Sequence, residues 1–183
     1  RVVPIVTVAL LATSASSPVL QVAYTESLAL LLVAGVLWSL QRERYGLVAV
    51  AVVALGFTRA VALPVAVVVA VHALARWREL SGGRRVAVLG LGALAGLSGL
   101  AWPAVVGWAT GVPEAYTLTQ GAWRGRQAVV PFLPWLDVTR WLIGGWAPLA
   151  LLVLAVAVVA ALLSRPMRRL GPELVAWAAA YVG

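Results

Sequence analysis

A tyrosine–threonine–glutamate triplet, Tyr24-Thr25-Glu26, opens one apolar stretch of this chain, and Arg59 interrupts the next. Ionisable residues are costly near bilayer depth, so those that persist there mark candidate sites. A guanidinium holds a lipid phosphate through two parallel hydrogen bonds. A carboxylate beside it either orders that guanidinium or accepts a hydrogen bond from a sugar hydroxyl. Taken singly, Glu26 also reads as a helix-terminus charge and Arg59 as an interfacial arginine reaching for water. Together on one face they form an anion-binding candidate, with Arg124 and Arg126 adding positive charge to the same side.

Other chemistries find little to work with. The chain has no cysteine, so it carries no disulfide framework, thiol nucleophile or cysteine metal site. Its single histidine, His72, lies in an apolar run without acidic neighbours in sequence and reads as a packed or interfacial side chain. No metal or cofactor site is identified. No hydrolase triad, phosphate-binding P-loop or Gly-x-Gly-x-x-Gly fingerprint is found. Every acidic residue falls in or next to a loop, which leaves few groups for an ion path across a bilayer and argues against a secondary transporter.

The elements that position these residues are set by composition. Hydrophobic residues make up 63% of the 183 and charged residues 11%, against roughly half and a quarter in an ordinary soluble domain. Mean hydropathy is +0.99. The expected fold is all-α, a polytopic transmembrane helical bundle. All fourteen basic residues are arginine, and the net charge is +8. They sit in short loops between apolar runs, as membrane orientation requires, so no nucleic-acid partner is expected. The chain starts at Arg1, and its first and last runs are shorter than the roughly 20 residues a span needs. It therefore reads as an internal fragment, truncated at both ends, of a larger protein.

The apolar runs are 2–12, 27–40, 46–57, 60–75, 86–108, 141–163 and 173–183, taken as one transmembrane domain. The stretch 46–75 suits either one tilted helix or a hairpin turning near Arg59 and Pro64. With a hairpin, Arg1, Arg42, Arg44, Arg76, Arg78, Arg84, Arg85, Arg165, Arg168 and Arg169 share one side, and Arg59, Arg124, Arg126 and Arg140 the other. Ten against four obeys the positive-inside rule, whereas a single span would largely erase the bias. Residues 13–26, 58–60 and 109–146 are then expected on the extracytoplasmic side of an integral, multi-pass membrane protein. Gly92 and Gly96, with Gly99 beyond, are expected to let helices approach closely.

The outer segment 109–146 is not a plain loop. Pro113 and Glu114 suit a first helical turn. Tyr116, Thr119, Gln120 and Trp123 follow at i, i+3, i+4 and i+7, on one helical face. A second amphipathic stretch, 134–143, carries Asp137 and Arg140 three residues apart, close enough to pair. Both are expected to lie in the interface. Six of the nine tryptophans fall between Trp102 and Trp146. Trp102, Trp108, Trp141 and Trp146 read as an aromatic belt, while Trp123 shares its face with Tyr116 and Gln120 and is a candidate for ligand contact.

Ser17-Pro18, then Ala23-Tyr24-Thr25-Glu26-Ser27-Leu28, then Gly56-Phe57-Thr58-Arg59 resemble the PIG-V family of mannosyltransferases. That family includes the second mannosyltransferase of GPI-anchor assembly and related bacterial, especially actinobacterial, membrane proteins. Trp102-Pro103, Thr110-Gly111, Ala115-Tyr116 and Gln120-Gly121-Ala122-Trp123-Arg124 are similar to a later outer-face segment of the bacterial members. The resemblance runs over roughly residues 10 to 125. It implies a GT-C fold and transfer of mannose from a polyprenyl- or dolichyl-phosphate-linked donor to a lipid or glycan acceptor. By position it implies that Arg59, Glu26, Tyr24 and Thr25 line the donor side, with Tyr116, Gln120, Trp123 and Arg124 on the substrate side. The family's catalytic acid is expected upstream of Arg1, so none is assigned here. The alternative is a non-catalytic transporter or assembly subunit whose outer face binds a lipid or a partner. Another polyprenyl-phosphate-dependent GT-C family is a near neighbour.

Overall fold

The computed structural model describes residues 2–14, 17–20, 25–58, 62–124 and 133–182. Among them there are helices and turns but no strand: α1 Val2–Thr13, α2 Glu26–Gln41, α3 Tyr45–Thr58, α4 Ala62–Arg76, α5 Gly82–Thr110, α6 Ala115–Arg124, α7 Leu133–Ile143, α8 Ala147–Leu163, the single turn α9 Arg165–Arg168, and α10 Pro172–Val182. Short 3-10 turns occupy Ser17–Leu20 and Gly144–Trp146. The Val/Ala/Leu runs explain the class, since they offer long apolar surfaces with few residues that break a helix.

Five helices make the core. α2 packs on α3, α3 and α4 pack on α5, and α10 packs on α4. Each contributes a stripe at helical spacing. On α4 the buried positions are Val65, Val68, Val69, His72 and Ala73; on α2 they include Ala29, Val33, Val36 and Leu40. Val48, Val52 and Leu55 of α3 face Val88, Leu91 and Ala95 of α5 within the same cluster. A stripe at i, i+3, i+4 and i+7 is the side of a helix that meets a neighbour.

Short loops set the direction of each helix. Residues 42–44 join α2 to α3 as an antiparallel hairpin, and residues 77–81 return α4 into α5. In the first loop Glu43 adopts φ +54°, a left-handed conformation unusual for a residue with a side chain. In the second, Leu80 is buried and the Ser81 carbonyl accepts from the Arg85 amide at 2.9 Å. The loops 42–44, 77–81 and the approach to α10 thus gather at one end of the bundle. The start of α2, the end of α3 and the end of α5 lie at the other.

α3 and α5 approach each other closely at Gly56. A Cβ on Gly56 would stand 2.7 Å from the carbonyl oxygen of Ser98 and 2.9 Å from its Cβ. The expectation placed close approach at Gly92 and Gly96. A Cβ on Gly92 would meet Val69 at an ordinary 3.8 Å, and one on Gly96 would meet nothing within 4 Å. Small residues permit contact only where a partner backbone arrives, and here it arrives at Gly56.

Two helical stretches are long and apolar enough to cross a membrane: Gly82–Thr110, of 29 residues, and Leu133–Leu163, of 31 residues and interrupted by the Gly144–Trp146 turn. At 1.5 Å per residue α5 is about 44 Å long, more than the roughly 30 Å of a hydrocarbon core. α8 exposes Leu149, Leu152, Val153, Val156 and Val159. A helix apolar all round is stable when buried in protein or in lipid.

Candidate functional site

Of the sequence-derived site residues, Thr25, Glu26, Tyr116 and Gln120 are described with their side chains, and they fall at the end of the bundle that holds the start of α2. Thr25 is the residue preceding α2, and its carbonyl accepts from the Ala29 amide at 2.8 Å. Glu26 is the first residue of the helix, where its charge meets the helix dipole, and its Oε2 is buried. Thr58 closes α3 with its hydroxyl donating to the Leu55 carbonyl at 3.0 Å. Because α2 and α3 form an antiparallel hairpin, the ends bearing the two sequence elements are neighbours. Tyr24 and Arg59 lie outside the described residues, as do the side chains of Trp123 and Arg124.

α6 starts at Ala115, so Pro113 and Glu114 precede the helix rather than forming its first turn. The Glu114 carbonyl accepts from the Leu118 amide at 2.9 Å. Gly111, in the left-handed conformation at φ +68°, caps α5 and turns the chain back toward it. Tyr116 and Gln120 are half-buried one turn apart, while Thr119 is exposed and donates its hydroxyl to the Ala115 carbonyl at 2.8 Å. Among the described residues α6 packs against α5 and not against α2 or α3. Tyr116 and Gln120 therefore share an end of the bundle with Glu26 without a direct packing contact between their helices. An open groove of about 530 Å³ runs along α8 between Trp146 and Ala157. Its lining is apolar, so it has nothing to orient a charged ligand.

The opposite end holds a polar network that sequence reasoning did not foresee. His72 is fully buried on α4, and its Nδ1 lies 2.8 Å from Oε1 of Glu173, itself 2% exposed at the start of α10. With an ionised carboxylate, which only accepts, Nδ1 is the donor of this bond. The other ring nitrogen, Nε2, is 3.3 Å from the hydroxyl of Tyr45, the first residue of α3. A neutral imidazole accepts there from the tyrosine; an imidazolium donates to it. The two rings meet edge-on with centroids 6.0 Å apart.

Two arginines extend the chain of charge. Arg76, one turn beyond His72, places Nε 3.8 Å from Glu173 Oε1 and donates to Glu43 Oε1 at 3.2 Å. Arg84, in the first turn of α5, donates to the other Glu43 oxygen. The left-handed conformation of Glu43 is compensated by these two bonds, which hold its side chain toward α4 and α5. Gly171, at φ +97°, leads into α10, and a Cβ there would lie 3.3 Å from Glu173 Oε2. The network ties α3, α4, α5, α10 and the 42–44 loop together.

His72, read from sequence as a packed or interfacial side chain with no acidic residue nearby in the chain, is packed, and its acidic neighbour comes from a distant segment. Glu173 reaches it from 101 positions away. Half of the signal was visible: His72 and Arg76 are spaced to share a helix face, and Glu173 opens an apolar helix after Gly171-Pro172. Among the described residues no group of three or more His, Asp or Glu could hold a metal ion. Comparison with protein-family models, curated proteins and solved structures finds no match for this chain.

Proposed function

We propose that this chain is part of an integral-membrane GT-C glycosyltransferase that transfers mannose from a polyprenyl-phosphate donor to a lipid or glycan acceptor outside the membrane. In this reading the protein is multi-pass, with its arginine-rich end in the cytoplasm. The reading rests first on the ordered resemblance of residues 17–28 and 56–59 to PIG-V enzymes. The observation that carries it furthest is the α2–α3 hairpin, which places the helix ends bearing those two elements side by side. The apolar stretches Gly82–Thr110 and Leu133–Leu163 support residence in a membrane.

The roles follow from chemistry. Arg59 engages the phosphate of the donor, since a guanidinium offers two parallel donors to such an anion. Tyr24, Thr25 and Glu26 shape the sugar subsite beside it. Tyr116, Gln120, Trp123 and Arg124 form the substrate side, with aromatic faces and polar tips suited to a carbohydrate. Glu26 is a binding residue in this scheme, not the catalytic base.

The test replaces Arg59 with alanine in the full-length protein and measures mannose transfer from polyprenyl-phosphate mannose. A rise in donor KM with a fall in kcat/KM of about tenfold to a hundredfold is expected for a lost charge-assisted phosphate contact, worth about 1.5–3 kcal/mol. Unchanged donor affinity and turnover would remove Arg59 from the site. Donor binding without any transfer by the wild-type protein would favour the non-catalytic alternative.

A further inference from the structure

The end of the bundle opposite the proposed sugar site carries its own unassigned surface. Trp38, in the last turn of α2, is 46% exposed. The guanidinium carbon of Arg42 stands 4.6 Å from its ring centroid and that of Arg44 stands 5.2 Å away. One indole thus serves two arginines, both exposed to solvent. The residue between them, Glu43, is the natural candidate to neutralise them. Its carboxylate instead bonds Arg76 and Arg84. The left-handed backbone at Glu43 separates the three side chains in this way. Among the described residues no carboxylate lies within ion-pair distance of Arg42 or Arg44.

A similar arrangement recurs one loop away. Arg85 sits over Trp77, 5.1 Å from the ring centroid, while its Nε donates to the Trp77 carbonyl at 3.1 Å. This end of the bundle bears Arg42, Arg44, Arg76, Arg78, Arg84, Arg85, Arg165, Arg168 and Arg169 against Glu43, Glu79 and Glu173: nine positive charges less three negative leave a surplus of six. Indole rings settle at headgroup level, and guanidinium groups held on them keep their N–H edges free for an acceptor in the same plane.

We infer that Arg42 and Arg44, clamped on Trp38, bind the phosphate of an anionic phospholipid in the leaflet that meets this end of the protein. Charge surplus and the position of the pair at the end of an apolar helix identify the partner. The site makes no use of the residues assigned to glycosyl transfer, so it stands or falls independently of that activity.

The full chain, extracted in mild detergent and supplied with equal phosphatidylglycerol and phosphatidylcholine, would be examined by native mass spectrometry. Wild-type protein should retain phosphatidylglycerol preferentially, and the preference should decline as salt is raised. The R42Q/R44Q variant should lose about 30-fold in that preference, the contribution of two basic groups near a charged surface. R42K/R44K, which keeps the charge, should hold most of it and shows that the fold survives substitution at these positions. Equal retention of both lipids by the wild type would overturn the inference without any variant. So would unchanged preference in R42Q/R44Q. Displacement of the lipid by millimolar inorganic phosphate, an acidic peptide or an oligonucleotide would also overturn it, by making the surface a general anion site.

Discussion

Removing Glu173 should be among the most damaging single changes to this bundle. Glu173→Ala deletes the acceptor 2.8 Å from His72 Nδ1, and His72 has no access to water to replace it. It also takes from Arg76 the second of its two carboxylates. Breaking a buried pair by removing one partner costs about 3–5 kcal/mol, because the remaining polar group keeps its desolvation penalty. Glu173→Gln keeps an acceptor oxygen and should cost about 1–2 kcal/mol, the difference between a charged and a neutral hydrogen bond. A double-mutant cycle with His72→Phe and Glu173→Leu separates the pair from the packing around it. The coupling should be about 1.5–3 kcal/mol, as for a hydrogen bond to a charged group. The assay is reversible unfolding in mixed micelles, followed by helical circular dichroism. Coupling under about 0.5 kcal/mol would refute the reasoning, since it would mean that α10 is held by apolar contacts alone and the pair merely tolerated.

The helix contact at Gly56 offers a paired test. Gly56→Ala should destabilise by about 1–3 kcal/mol, since a Cβ would meet the Ser98 backbone at 2.7 Å. Gly96→Ala, in open space elsewhere on α5, should be neutral or stabilising by up to about 1 kcal/mol through helix propensity. The same unfolding assay ranks them. Gly171→Ala should cost about 1–2 kcal/mol from the left-handed backbone at φ +97°. Because the new methyl would also crowd Glu173 Oε2, that cost should shrink in a His72→Phe background; an identical cost in both backgrounds would show that Gly171 acts on the backbone alone.

The all-helical class was legible because apolar runs dominate the chain and few residues break them. The sharing of one end by the start of α2 and the end of α3 was also readable, from the count of arginines that made residues 46–75 a hairpin turning near Arg59. Pairwise facts were not. The Gly92 and Gly96 spacing describes one helix, whereas close approach needs two, and the partner backbone of Ser98 arrives at Gly56. His72 looked solitary for the same reason. A local window cannot see a carboxylate 101 residues away, and burial, not spacing, is what makes the pair consequential. At the proposed sugar site, Thr25 and Glu26 could be placed at a helix start from sequence, but the half-buried face of Tyr116 and Gln120 against α5 required the packing itself.

The span between His72 and Glu173 also has a meaning in time. Ribosomes add about 5–20 residues per second, so the carboxylate emerges roughly 5–20 s after the imidazole. Throughout that interval α4 presents a polar ring on an otherwise apolar stripe, with Tyr45 as its available hydroxyl partner. The helices α2 to α5 can assemble through local hairpins during this period, but the last polar bond closes only when α10 arrives. The buried pair is therefore among the last polar contacts of the bundle to close, because the helix that carries the carboxylate is made last of the five that pack together.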